Sequence, residues 1–209
     1  MASLQSLHDV FVHELRDLYS AERQLIKALP KMARHAHSPE LADALTNHLN
    51  ETEGHAARLE QILRGIGQKG RGVKCKGMEG LIDEGDEILG MSGDADALDA
   101  AMIGAAQRVE HYEIAAYGTA ISHAKSQGHT EAARLLEETL KEEKKADELL
   151  TAIAERSVNV DAADTSTMGT AISVAFPRMP VGNGRARGTK TNGRKKTNSR
   201  AKSRRKATR

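Results

Sequence analysis

Carboxylates stand where helical stripes of apolar residues would otherwise continue. In the first predicted helix, Glu22 takes an apolar position between Leu18 and Leu25. The same interruption recurs near the middle of three further predicted helices, at Glu51, at Glu110 and Glu113, and at Glu143 and Asp147. An ionised carboxylate in an apolar interior costs many kcal/mol, and several together also repel one another. These acids therefore need a compensating positive charge.

Two divalent cations would neutralise four such carboxylates and use their oxygens. His55, one turn after Glu51, adds an imidazole, and carboxylates with one or two imidazoles suit iron or manganese and, less specifically, zinc. A single acid in such a stripe is more often at the solvent boundary or paired with a base, so recurrence on four helices is what favours metal. The predicted ligands are Glu22, Glu51, His55, Glu110, Glu113, Glu143 and Asp147, with the Tyr19 and Tyr117 hydroxyls bonding to ligating carboxylates from outside.

The elements that must position these residues are long helices. Capping residues, glycines and apolar periodicity predict helices from Ser3 or Ser6 to about His37 with a kink at Pro30, from Ser38-Pro39-Glu40 to Gly65, from the Asp94–Asp99 cluster to about Ser126, and from about Thr130 to Ala154. A connection over 68–93 holds a short helix near Met78–Leu89. Two hairpins joined by one long crossover predict an all-α, ferritin-like four-helix bundle over residues 1–156.

Composition agrees with long helices and divides the chain into an acidic body and a basic arm. The 209 residues contain no Trp and five other aromatic residues, fewer than a sheet protein of this size would use. Residues 178–209 contain 13 Lys or Arg and no acid, which leaves 18 basic and 29 acidic residues in 1–177. We expect 157–177 to be a linker with an apolar patch at Ile172–Phe176, and 178–209 to be disordered.

Three further features of the sequence bear on where in the cell the protein is located. Cys75 is the only cysteine, the N-terminus lacks the features of a signal peptide, and no apolar run approaches the about 20 residues that span a bilayer. We therefore expect a cytoplasmic protein without a membrane partner.

The basic arm predicts a nucleic-acid or other polyanion partner. Its cations are interleaved with Ser, Thr, Asn, Gly and Ala, without aromatic residues for base stacking, so binding would be non-specific and steeply salt-dependent. The alternative is contact with the acidic body of the same or another subunit. A DNA partner would place the protein at the nucleoid. The predicted contacts are Arg185, Arg187, Lys190, Arg194, Lys195, Lys196, Arg200, Lys202, Arg204, Arg205, Lys206 and Arg209.

Four stretches closely resemble the YciE/YciF-type ferritin-like family of bacterial stress-associated proteins. They are DLYSAERQL (17–25), KCKGMEGLIDE (74–84), AAQRVEHYEIAAYGT (105–119) and LLEETLKEEKKADELL (135–150). The resemblance implies a bundle that is often a homodimer, with a di-iron site similar to that of rubrerythrin-type proteins. It matches Glu22, Glu51, Glu110 and Glu143 to the acids of the four helices, and Glu113 to an extra acid. Gly54 and Ala146 depart from the Glu-x-x-His pattern of better-known di-iron bundles.

Three functions are compatible with these features. The leading hypothesis is a stress-response protein whose two iron ions react as Fe(II) with peroxide or oxygen, as a peroxidase or a ferroxidase. The second is a dimeric DNA- or chromatin-associated binding protein whose metal site is structural or vestigial. The third is a manganese catalase-like site.

Overall fold

A computed structural model describes residues 4–70 and 73–167, and all regular secondary structure in those ranges is helical. The helices are α1 (Leu7–His35), α2 (Pro39–Gly65), α3 (Lys76–Leu89), α4 (Ala95–Ser126), α5 (Thr130–Ile153) and α6 (Asn159–Thr167), with a π-helical segment at Ala154–Val158 between α5 and α6. The hairpins α1–α2 and α4–α5 form the bundle, and α3 lies in the crossover. The predicted all-α, ferritin-like four-helix bundle is confirmed.

Local signals explain where the bundle helices begin and end. The side chains of Ser6, Ser38 and Asp94 each accept a hydrogen bond from an amide in the first turn of the following helix. Gly67 and Gly128 follow α2 and α4 with φ of 72° and 74°, which favours glycine because it has no Cβ. These short-range signals set the lengths of the two hairpins.

A buried carboxylate fastens the turn between α1 and α2. Asp99, at the start of α4, accepts hydrogen bonds from the backbone amide of His37 at 3.0 Å and that of Ser38 at 2.6 Å. Its side chain is fully buried. The contact joins the first hairpin to the second across the crossover and holds the start of α2 in place.

The core consists of two apolar clusters separated by a polar layer. One cluster includes Leu25 and Leu45, and the other includes Leu18 and Leu59. Glu22 lies between Leu18 and Leu25 on α1, so the first predicted ligand stands between the two clusters. The other three helices cross the same layer.

Two sequence predictions at the ends of the bundle are wrong. The apolar periodicity that predicted the first helix includes Leu4 and Leu7, but both side chains are exposed, and the buried face continues instead through Val12 and Leu15. The linker predicted for 157–177 does not begin directly after Arg156. The chain stays helical up to Thr167, and Val158 packs into the first cluster. The Ile172–Phe176 patch and residues 178–209 lie outside the described residues.

No helix in the described part of the chain is long and apolar enough to cross a membrane.

Candidate metal centre

The polar layer contains four glutamates and two histidines, all buried. They come from all four bundle helices, and their ligand atoms form two sets within which all atoms lie within 4.8 Å of one another. We call these the outer set (His48, Glu110, Glu113 and Glu143) and the inner set (Glu22, His55 and Glu143). Glu143 belongs to both sets.

Helix α2 supplies an imidazole to each set. His48 and His55 are seven residues apart, which is two helical turns, so both face inward at different depths. His48 Nε2 lies 3.3 Å from Glu110 Oε1 and 3.8 Å from Glu143 Oε2. His55 Nδ1 lies 2.9 Å from Glu143 Oε1 and 3.7 Å from Glu22 Oε1. The His48 ring therefore lies beside one carboxylate oxygen of Glu143, and the His55 ring lies beside the other.

Burial and mutual repulsion perturb the glutamates. Burial raises the pKa of Glu22, Glu110 and Glu113, and the charge of Glu143 raises each of them further. For Glu110, the charge of His48 opposes this rise in pKa. For Glu113, burial and the neighbouring acids all act to raise the pKa. Glu113 is thus an acid held at the centre of a like-charged group.

For the two histidines, burial and the neighbouring carboxylates act on the pKa in opposite directions. Burial alone would lower the pKa of His48, but the nearby carboxylates, Glu110 foremost among the charges, raise it to about 9. For His55, burial is again outweighed, here by contacts with Glu143 and Glu22, and the pKa is raised to about 11. Without metal, both rings are therefore cationic at neutral pH and partly offset the acids.

Most of the buried ligand atoms lack a hydrogen-bond partner. Both oxygens of Glu113 and of Glu143 are unpaired, as are one oxygen each of Glu22 and Glu110. Although His55 Nδ1 is close to Glu143, the two atoms do not meet hydrogen-bond geometry. A buried polar atom without a partner costs about 1–3 kcal/mol, and more when charged. Metal ions would satisfy these atoms, so the residues present fit a metal centre.

Hydrogen bonds from outside the two sets orient the inner ligands. The Tyr117 hydroxyl donates to Glu22 Oε1. His55 Nε2 lies 2.9 Å from Glu142 Oε2, and Arg58 holds the same carboxylate with two of its nitrogens. With Nε2 occupied by Glu142, Nδ1 of His55 is the nitrogen directed at the inner set. Carboxylate partners of this kind fix the orientation of metal-binding imidazoles.

Comparison with known proteins places the chain in a family. Residues 6–163 match the model described as a domain of unknown function, DUF892. The chain belongs to the DUF892 family. It is 45% identical over 158 residues to the protein YciF of Escherichia coli strain K12, which covers 75% of this chain and 95% of YciF.

Solved structures agree with this DUF892 assignment. The crystal structure of the Escherichia coli stress protein YciF matches with a TM-score of 0.72, covering 75% of this chain and 99% of that one. A Rhodopseudomonas palustris protein, 46% identical, gives 0.71 over 73% of this chain and 97% of its own. A Xanthomonas campestris protein at 22% identity gives 0.62, covers 77% of this chain and 99% of its own, and supports the fold alone. The family resemblance seen in the sequence is confirmed.

In this DUF892 chain the structure brings together five of the seven predicted ligands. Glu51 and Asp147 lie outside both sets. The Glu51 side chain is 35% exposed, with Oε2 3.5 Å from His48 Nδ1, and Asp147 accepts a hydrogen bond from Gln107 at 3.1 Å and lies beside His111. Of the two predicted outer tyrosines, Tyr117 bonds to a ligand, whereas the Tyr19 ring lies against Gly70.

Sequence reasoning missed His48. The inward stripe of α2 runs Leu41, Leu45, His48, Thr52, His55, Leu59 and Ile62, at alternating spacings of four and three. Following Leu45 to Leu49 instead of His48 rotates the stripe away from the core, and Leu49 is only partly buried. The regular stripe was the signal that could have revealed this histidine.

Proposed function

We propose that this protein binds two iron ions between its two apolar clusters and reacts them, as Fe(II), with peroxide or oxygen during stress. The observation that best supports two ions is the position of Glu143, whose carboxylate belongs to both ligand sets. A carboxylate with two oxygens directed at two neighbouring sets is suited to bridging two cations.

The ligand types favour iron or manganese. Oxygen ligands predominate, with one imidazole in each set, and cysteine is absent from both. Two divalent ions would balance the four glutamates once the histidines give up their protons. When bound, a pair of Fe(II) ions supplies two electrons for the reduction of peroxide or oxygen.

The residues of the chain have separable roles. His48, Glu110 and Glu113 would hold an ion in the outer position, and Glu22 and His55 would hold one in the inner position. The negative charge of Glu113 would also favour the more highly charged oxidised product. Tyr117 fixes Glu22, while Glu142 and Arg58 fix His55. Leu18 and Leu59 in one apolar cluster and Leu25 in the other lie on either side of the layer and keep bulk water from the inner set, whose members are fully buried.

Metal stoichiometry in matched variants tests the proposal. The purified full chain is loaded anaerobically with Fe(II), desalted and analysed for metal. We expect about two ions for the wild type, one for Glu22→Ala and none for Glu143→Ala, because only Glu143 serves both sets. Glu148→Ala, an exposed acid on α5, is the control and should retain both. A wild type that takes up no Fe(II) would refute the proposal, and peroxide consumption by the loaded protein then tests the reaction.

The basic residues from Arg185 to Arg209 support a second proposal, non-specific binding to DNA. Such binding would hold a peroxide-consuming centre near a target of oxidative damage. It would also serve the alternative function, a dimeric DNA-associated protein with a structural metal. Deleting 178–209 separates the two, because the enzyme would keep its turnover whereas the DNA-binding protein would lose its function.

A further inference from the structure

A cavity between α2 and α5 reaches the outer ligand set. Its volume is about 370 Å³, and His48 and Glu110 are among its lining residues. These two ligands keep 6% and 2% of their surface exposed, whereas Glu22, His55 and Glu143 are fully buried. In the described part of the chain, the cavity is therefore a route to the outer position of the metal centre.

The cavity is much larger than the smallest substrates require. A water molecule occupies about 30 Å³ in the liquid, and hydrogen peroxide adds only one oxygen atom. At about 370 Å³, the cavity falls within the range of roughly 300–1,000 Å³ that is typical of ligand pockets. A channel that served hydrogen peroxide or oxygen alone would not need this volume, so the cavity has room for a small organic molecule.

The lining suits an uncharged molecule with an apolar chain. Leu45, Ala146 and Leu150 are buried apolar residues in the cavity wall. Glu51 and Lys145 lie on the more exposed side and bear opposite charges, which disfavours selection for an ion of either sign. Ala44 and Leu149 extend the apolar surface of the wall, and Asn47 and Asn50 add neutral hydrogen-bonding groups. Apolar surface combined with polar groups of this kind is usual in small-molecule sites.

We propose that this cavity binds the alkyl chain of an organic hydroperoxide and presents its O–O group to the outer ligand set. The inference rests on the proposed function and names its substrate class. In the reaction the O–O bond of ROOH breaks, and two electrons and two protons convert it to ROH and water. The electrons come from two Fe(II) ions, each oxidised to Fe(III), and the protons come from solvent.

Binding can be tested on the metal-free protein, independently of turnover. The chain contains no Trp, so Leu149→Trp introduces a single indole at the edge of the cavity, where Leu149 is 41% exposed. Titration with 1-hexanol, the alcohol product of hexyl hydroperoxide, should change the fluorescence with saturation. Adding Ala44→Phe, which fills the cavity without altering a ligand, should weaken this binding at least tenfold. Ala57→Phe, at an exposed position of α2, is the matched control and should leave it unchanged.

Turnover gives the second measurement. In single-turnover oxidation of the Fe(II)-loaded protein, Ala44→Phe should lower, at least tenfold, the ratio of the second-order rate constant for hexyl hydroperoxide to that for hydrogen peroxide. An unchanged ratio, or no saturable response of Leu149→Trp to 1-hexanol, would overturn the proposal. If the loaded protein consumed neither peroxide, the proposed function would fail, and the fluorescence titration would still decide whether the cavity binds an alkyl chain.

Discussion

Replacing Glu113 by Gln should stabilise the metal-free protein while weakening its metal binding. Glu113 is fully buried, neither of its oxygens has a hydrogen-bond partner, and burial together with the charges of Glu22 and Glu143 raises its pKa. Glutamine keeps the volume, removes the acid and offers an N–H₂ donor to neighbouring carboxylates. The substitution therefore removes an unfavourable buried acid when the site is empty, and it removes a metal ligand when the site is filled.

The size of the effect follows from the missing hydrogen bonds. Relieving one unsatisfied buried group is worth about 1–3 kcal/mol. For a chain of this length, each kcal/mol shifts Tm by about 2–4 °C, so the metal-free variant should melt about 2–12 °C higher. In the wild type, metal at 100 times its Kd adds about 2.7 kcal/mol of stability. A tenfold loss of affinity in the variant would remove about 1.4 kcal/mol of that gain.

The assay is thermal unfolding followed by circular dichroism, with and without Mn(II), which does not oxidise during the scan. Glu148→Gln, an exposed acid on α5, is the control and should alter neither melting temperature. A metal-free Glu113→Gln protein that melts below the wild type and keeps the full metal-induced shift would refute the reasoning. Glu113 would then be a structural residue with partners that the geometry does not reveal.

Three further predictions concern the surroundings of the centre. Glu142→Gln should lower iron affinity about 10- to 100-fold in chelator competition, because His55 Nε2 loses its carboxylate partner; unchanged affinity would show that His55 needs no such support. Asp99→Ala should reduce the free energy of unfolding in urea by about 1–3 kcal/mol, since two amides in the α1–α2 turn lose their acceptor; an unchanged urea midpoint would contradict this role. Deleting 178–209 should abolish retention on DNA at low salt without changing iron content, whereas retention by the truncated protein would place the DNA-binding surface on the bundle.

The fold was predictable because its signals are local. Ser6, Ser38 and Asp94 cap their helices where expected, and each apolar stripe identifies the face that enters the bundle. The helix after Arg156 was not predictable in the same way, because among residues 157–164, whose side chains the structure describes, only Val158 is buried. Without a stripe, sequence alone gives no reason to extend the helix.

The candidate site was predictable to the extent that a carboxylate interrupts a stripe. Four glutamates interrupt the apolar stripes of their helices and lie in one layer of the structure, namely Glu22, Glu110, Glu113 and Glu143. Glu51 and Asp147 failed for a geometric reason: each lies one residue away from a buried position of its helix, Thr52 on α2 and Ala146 on α5. One residue is a rotation of about 100°, enough to turn a side chain out of the ligand sets. Asp147 accepts a hydrogen bond from Gln107 and lies beside His111, and because both partners are on α4, these contacts cannot be read from the sequence of α5 alone.

The shared position of Glu143 has a consequence for the evolution of the family. An acid buried without a partner lowers the stability of a chain that no longer binds metal, so selection would favour an apolar residue there once the centre fell out of use. A relative that retains glutamate at this position, beside its two histidines, would thus have kept a working centre. One that has lost it would keep the bundle as a scaffold only, and this single alignment column would separate the two groups.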